Sequence, residues 1–394
     1  MDYVDQAWQS PVYRRMDQWI ADHEGELIQE VIDVCQVPAP PFQEGERAQK
    51  VAAGFRQAGL TDVAIDQEGN VVAVYPGRGA ADRLVVVSAH LDTVFPAGTD
   101  VGVRREGERL YAPGISDNSA AVAALLFLAR GLVAAGFEPE PSVVFLANVG
   151  EEGLGNLRGM RHFFQHGLGA RRPVAAALVL DGRLGVMSTE AVGSRRLAVT
   201  YRGPGGHSWA DFGRPSAIHA LGRAIAAIAG LAVPAEPKTT FNVGTVTGGT
   251  AVNAIAQQAA MVVDMRSVDG AALARLEEAV RAAIADAARA EGGVEVDIQV
   301  VGERPAGRLD PHHPLRQLAL GAATRLGLAA EEEAMSTDAN IPLSLGIPAV
   351  VLGIAEGGGM HTLEEWLAPG SLGIGVRSAL LSLLSAERWA AQTT

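Results

Sequence analysis

Cysteine is almost missing: the 394 residues include one, Cys35. A single thiol excludes an internal disulfide and any metal site built on cysteine, and within VIDVCQV it reads as a buried apolar side chain. Basic residues are also scarce, with 32 Lys and Arg against 45 Asp and Glu and a formal charge of −13. No basic patch offsets that deficit, which argues against nucleic acid and against an anionic membrane as partners. No apolar run approaches the ~20 residues of a membrane span. The N-terminus, MDYVDQAWQSPVYRRMDQWI, has no basic start followed by an apolar core. These absences predict no membrane partner and a cytoplasmic location. Internal repeats and low-complexity tracts are absent. So is a G-x-S-x-G elbow, which leaves a nucleophilic serine hydrolase with little support.

What is present is enough for two domains. The chain is longer than one hydrophobic core comfortably serves, and 48% of its residues are hydrophobic. An amphipathic helix over residues 16–35 precedes the proline-rich VPAPPF, and EGERAQKVAAGFRQAG gives a second helix. Strands VVAVYPG, LVVVSAH, SVVFLANV and AALVLD then alternate with helices, notably the apolar SAAVAALLFLARGLVAAG. That alternation predicts an α/β fold with a doubly wound, mostly parallel sheet.

Near residue 190 the pattern changes. The strands LAVTYRG, AAMVVDMRS and VEVDIQVV, with the helices SAIHALGRAIAAIAG and ALARLEEAVRAAIADAARA, form a β-α-β-β-α-β-like set over 193–306. A strand, IPAVVLGI, follows it. The expected architecture is therefore a discontinuous domain, 1–192 with 307–394, interrupted by a smaller α+β domain of ferredoxin-like type.

The stretch LVVVSAHLDTVF, residues 84–95, reads as a strand buried on both faces that ends by presenting His90 and Asp92. Ligands of an open α/β sheet bind beyond the carboxyl ends of its strands. Residues two apart in an extended segment point the same way, so Asp92 is expected to turn toward the His90 imidazole and fix its tautomer. Asp117, Glu151, Glu152, Asp181 and His361 likewise follow predicted strands or sit at turns. Each alone has a plainer reading: Asp117 as a helix N-cap, Glu151 and Glu152 as first-turn acids, Asp181 as a turn residue, and His361 as a loop histidine. Together, adjacent carboxylates after a buried strand, with no Lys or Arg next to them in sequence, call for a nearby positive charge. Two His with several carboxylates and no Cys suit zinc, cobalt or manganese. The number of candidate ligands suggests two ions. Two metals about 3.5–4 Å apart share a carboxylate and a water, lower the water's pKa toward ~7 and polarise an amide carbonyl.

Seven segments, in order, carry a resemblance: SAHLDTVF, APGISDNSAAVAALL, NVGEEGLGNLRG, LVLDG, GPGGHS, GTVTGGTAVNAIAQQAAMVVDMRS and GGGMHTLEEW. The chain resembles the di-zinc exopeptidase and deacylase family of peptidase T, carnosinase-type dipeptidases, carboxypeptidase G, acetylornithine deacetylase and succinyl-diaminopimelate desuccinylase. That resemblance implies that Asp117 bridges two metals, His90 and Asp181 complete one position, and Glu152 and His361 complete the other. Glu151 would be the general base and Asp92 the partner of His90. In the inserted lid domain His207 would polarise the scissile carbonyl, while Asn253 and Arg266 hold the substrate's polar end. A homodimer formed through the lid and a small peptide or N-acyl amino acid as substrate are implied as well. Asp181, where some relatives have Glu, is more typical of the peptidase T and dipeptidase branch. Ser216-Ala217, where Asn-Ala is common, and Ala256, where a proline is common, depart from the usual pattern and bear on substrate contacts.

Two rival readings come from other classes. Gly153, Gly155 and Gly159 after SVVFLANV, with Asp181 further on, imitate the dinucleotide fingerprint of a nicotinamide oxidoreductase. The third glycine falls one residue late, with Arg158 in its place, and Glu151 and Glu152 would face the pyrophosphate with two negative charges. A binding or scaffold protein that keeps the fold is the other rival. Glu151, which has no evident structural task, speaks against it.

Overall fold

The computed structural model describes residues 3–79 and 83–392. The chain divides into two compact units, 1–190 with 308–394, and 191–307.

The first unit is built on an eight-stranded sheet. Its spatial order is Asp62–Ile65, Val71–Tyr75, Ser142–Asn148, Leu84–His90, Val174–Leu180, Ala349–Leu352, Val186–Ser188 and Glu331–Glu332. Leu84–His90 at the centre runs parallel to both neighbours, and Ala349–Leu352 runs parallel to Val174–Leu180. The pairs outside this group are antiparallel, except for the two-residue ladder of Glu331–Glu332 with Val186–Met187. Leu84–His90 and Ser142–Asn148 are buried at every position. Leu84–His90 packs against the helices Ala120–Ala134 and Leu372–Gln392, and strands buried at every position read as unbroken apolar runs rather than alternating ones. Three parallel strands thus end together, and their carboxyl ends deliver His90, the turn with Glu151 and Glu152, and Asp181.

Two helical expectations change. Residues 16–35 form two helices, Pro11–Asp22 and Glu24–Cys35, separated at His23, whose φ of −120° and ψ of 19° leave the helical region. The first starts where Ser10 accepts the Tyr13 amide ahead of Pro11, a start signal that the broad periodicity hid. The second concerns apolar length. Ile115–Ala134, an irregular turn Ile115–Ser119 running into the helix Ala120–Ala134, spans 20 residues with a mean hydropathy of 1.4, enough by length and composition for a membrane span, contrary to the expectation of no such run. It is 78% buried inside this unit, as a core helix between sheet and outer helices is.

The second unit has a four-stranded antiparallel sheet in the order Thr239–Gly248, Gln258–Ser267, Gly193–Arg202, Glu295–Arg304. Ala217–Ala229 and Gly270–Glu291 are its helices, and Leu197, Val199, Tyr201, Ala220, Met261 and Val280 are among the side chains of its core. Chain order against spatial order gives the split β-α-β pattern of a ferredoxin-like fold. Thr239–Gly248 is the strand that the sequence pattern did not single out. It lies at the sheet's edge, and its Thr, Gly and Asn residues are mostly exposed.

Candidate metal centre

Asp117 is the meeting point of two histidines. Its Oδ1 lies 3.2 Å from His90 Nε2, and its Oδ2 lies 3.0 Å from His361 Nε2. His361 Nε2 is also 3.3 Å from Glu152 Oε1. Two three-donor groups result, His90 with Asp117 and Asp181, and Asp117 with Glu152 and His361. Within each, the candidate ligand atoms lie within 4.8 Å of one another. Glu151 joins His90 and Glu152 in a third group of the same kind. The segment carrying Asp117 is an irregular turn, Ile115–Ser119, with Asp117 at φ −114°, ψ 92°. Asp117 therefore faces the histidines rather than capping the helix that follows, which has no side-chain cap.

The charge arrangement fits cations. Burial would raise the Asp117 carboxyl, but the His361 and His90 imidazoles hold it well below its usual range. Hydrogen bonding to Asp117 and Glu152 lifts His361 to about 10. Burial pulls His90 down, yet Asp117, Asp181 and Glu151 raise it well above normal. Burial, with Asp117 and Glu152 adding to it, pushes the Asp181 carboxyl up to about 6. Four carboxylates and two imidazoles in so small a volume hold more negative charge than the protons on two histidines balance. Two overlapping N/O donor sets that share one carboxylate are what two divalent ions require.

Asp92 does a different job from the one expected. His90 Nδ1 faces the backbone carbonyl of Asp92 at 3.0 Å, whereas the carboxylate lies 3.7 Å away. That carboxylate accepts the amides of Glu151, at 3.0 Å, and Glu152, at 2.7 Å. It fixes the acidic turn, while the chain's own carbonyl orients the imidazole. Arg158, packed against Gly150, gives its guanidinium to Glu44 at 2.6 Å and Glu68 at 2.9 Å.

Several residues that support the site carried no signal in the motif reading. Arg47 is fully buried, and it donates to the carbonyls of Val37 at 2.8 Å, Leu91 at 2.8 Å and Cys35 at 3.3 Å. Leu91 is the residue between His90 and Asp92, so this cation braces the central strand's exit. Its one sequence signal is an arginine at the apolar spacing of a helix, with Val51 and Phe55 on the same face. Asn148 donates to the buried Asp338 at 2.7 Å, and burial lifts that carboxyl to about 7. Thr337 donates to Asp181, and Asn118 donates to the Leu180 carbonyl at 3.0 Å. Cys35 is buried as expected, its thiol pushed up to about 11 by burial.

His207, Asn253 and Arg266 belong to the other unit. Gly206–His207 pairs with Ala254–Ile255, and Ser208 donates its amide to the Asn253 carbonyl at 3.0 Å, so the His207 turn and Asn253 are neighbours. His207 Nδ1 accepts the amides of Trp209, at 3.2 Å, and Ala210, at 3.3 Å. An unprotonated Nδ1 puts the neutral ring's proton on Nε2. Arg266 gives its Nε to Asp264 at 2.8 Å, and Arg196 gives its own at 2.9 Å, which holds Asp264 below its usual range despite burial.

Residues 86–384 match the sequence pattern described as peptidase family M20/M25/M40. An acetylornithine deacetylase from Myxococcus xanthus is 29% identical over 347 residues, which is 84% of this chain and 88% of the relative. Among solved structures, the aminopeptidase PepT of Bacillus cereus superposes with a TM-score of 0.78 at 21% identity, over 92% of this chain and 98% of that one. A tripeptidase from Staphylococcus aureus gives 0.77 at 21% identity, over 93% and 99% of the two chains. At these identities the structural likenesses speak for the fold.

Proposed function

The chain belongs to peptidase family M20/M25/M40, a metal-dependent peptidase or amidohydrolase, and from that premise we propose that it is an exopeptidase of small peptides working with two divalent metal ions. The observation that carries this reading is the pair of donor groups sharing Asp117, with Glu151 beside them. Zinc suits the donor set, and cobalt and manganese are its alternatives. Asp117 would be held in common, His90 and Asp181 would complete one position, and Glu152 and His361 would complete the other. When bound, the ions supply the Lewis acidity that acidifies a water and polarises an amide carbonyl.

The chain's own residues do the rest. Glu151 takes the proton of the attacking water and returns it to the leaving amine. Asp92 keeps Glu151 in place through the Glu151 amide. His207 offers Nε2–H to the carbonyl oxygen as negative charge develops there. Arg266, oriented by Asp264, and Asn253 hold the substrate's polar end. A second copy docking on the lid unit is part of this reading. It is supported by exposed apolar side chains on that unit: Val246 on the edge strand Thr239–Gly248, 54% exposed, Ile218 on the helix Ala217–Ala229, 43% exposed, and Val252 beyond the strand, fully exposed.

The amidohydrolase alternative, an N-acyl-amino-acid deacylase, is favoured by the 29% identity to the acetylornithine deacetylase. Asp181 in place of Glu favours a peptidase. Both cleave an amide with the same residues, so the test is substrate choice. The protein loaded with zinc, cobalt or manganese is assayed against di- and tripeptides and against N-acyl amino acids. A peptidase cleaves the former with the higher kcat/KM; preference for acyl amino acids overturns the peptide reading, and no hydrolysis of either overturns both.

A further inference from the structure

Four residues beyond His361 stands a second acid of the same loop, Glu365, fully buried. Among the described residues its carboxylate pairs with no Lys, Arg or His. Oε1 accepts the backbone amides of Ser116 and Asp117, each at 2.8 Å, and Oε2 accepts that of Gly114 at 3.1 Å. Its main-chain carbonyl accepts the amide of Ala112 at 3.1 Å. One residue thereby takes four N–H groups from the segment 112–117, the turn that presents Asp117. The surroundings leave little play. A Cβ at Gly357 would stand 2.2 Å from Ser116 Oγ, and Gly114 turns with φ +76° against Thr93. Trp366–Ala368, which follows directly, pairs with Arg109–Tyr111, which leads into the turn.

We propose that Glu365 is a positioning residue that latches the His361 loop to the Asp117 turn and so makes the two metal positions interdependent. The inference rests on the two-metal reading above. A turn with non-helical backbone at its key residue has no ladder of its own to satisfy its amides, and a buried amide without an acceptor is costly. Glu365 supplies those acceptors from the loop that carries His361. Displacing either loop then moves the carboxylate that both ions would share.

The test compares Glu365→Gln, Glu365→Asp and a remote control, Leu380→Ala, in the full chain. Zinc stoichiometry and affinity are read by competition with a chromophoric chelator, and the melting temperature of each metal-free protein is recorded alongside. The Gln side chain keeps the size but loses one acceptor oxygen, and the expected result is at least tenfold weaker binding of the more loosely held ion. Asp keeps a carboxylate at shorter reach and is expected to fall between Gln and wild type. Leu380→Ala, destabilised by packing alone, keeps wild-type affinities. Two tightly bound ions in Glu365→Gln overturn the proposal, as does parallel metal loss in Leu380→Ala at a matched drop in melting temperature. Should the Gln variant fail to fold, the Asp variant carries the same two outcomes. A wild-type protein that takes up no second ion fails the functional reading itself, which separates that failure from this one.

Discussion

The Asp117 carboxylate stands 3.0 Å from His361 Nε2, although 244 positions separate the two residues in the chain. In the absence of metal this contact is an ion pair, with His361 lifted to about 10 and Asp117 held low. The first prediction follows from those protons. The ion that His90 would ligate and the ion that His361 would ligate must each displace a proton from that imidazole. Both are raised, so at neutral pH the protons are present and compete with metal. Apparent affinity should rise with pH, by about tenfold per unit for each proton displaced, as long as the pH stays below the raised values. Isothermal titration of zinc at pH 6, 7 and 8 in buffers of different ionisation enthalpy measures both slope and proton release. A pH-independent affinity without proton release would falsify histidine ligation.

Glu151 and Glu152 are adjacent in sequence and different in assigned task. Glu151→Gln should keep two ions and lose activity by roughly 10²–10⁴, the usual cost of a missing general acid-base group. Glu152→Gln should instead lower metal content or affinity. Both keep their backbone amides on Asp92, so the turn itself is preserved. Metal analysis beside single-turnover rates distinguishes them, and exchanged phenotypes would reverse the assignment within the pair.

The sheet and the cluster were legible because the strands are buried on both faces, and each apolar run ends where its polar residue begins. LVVVSAH into His90 and AALVLD into Asp181 needed no tertiary information. The supporting residues were opaque for the opposite reason. Glu365 and Asp338 look like surface acids in HTLEEW and STDAN, and their burial depends on partners 200 or more positions away or nearly so, at separations of 248 and 190. Strand alternation puts Asp92 beside His90, but its carboxylate answers to the amides of a distant turn. Thr239–Gly248 is faint in the sequence because its alternation is short: Phe241 and Val243 pack on the core, and beyond the irregularity at Val243/Thr245 this edge strand is exposed.

Arg47 provides the third prediction. Its guanidinium, lowered to about 10 by burial despite Cys35 and Asp92, satisfies three carbonyls around the exit of the central strand. Arg47→Met preserves apolar bulk and leaves those carbonyls without their donor, which should destabilise the metal-free protein by ~2–3 kcal/mol or more. Urea denaturation followed by circular dichroism measures the loss. A change under about 0.5 kcal/mol, the range of an ordinary surface substitution, would remove Arg47 from the scaffold of the site.

The last prediction concerns His207. With Nδ1 accepting two backbone amides, the neutral ring has a single N–H, on Nε2, available to a substrate carbonyl. We propose that in such a dimer that group serves the neighbouring chain's site, so that each site would draw Glu151 from one chain and His207 from the other. His207→Ala and Glu151→Gln should then each be nearly inactive as pure proteins. Mixed under conditions that exchange subunits, they form a hybrid in which one site joins the Glu151 of the His207→Ala chain to the His207 of the Glu151→Gln chain. The other site lacks both. A statistical mixture holds half its dimers as hybrids with one good site each, and activity should recover to about a quarter of the wild-type value, a fraction that follows from counting sites if exchange is complete and the sites act independently. Purifying the hybrid through two different affinity tags fixes the count. A verified hybrid without activity, or full activity from a monomer, would show that His207 serves its own chain or takes no part in the reaction.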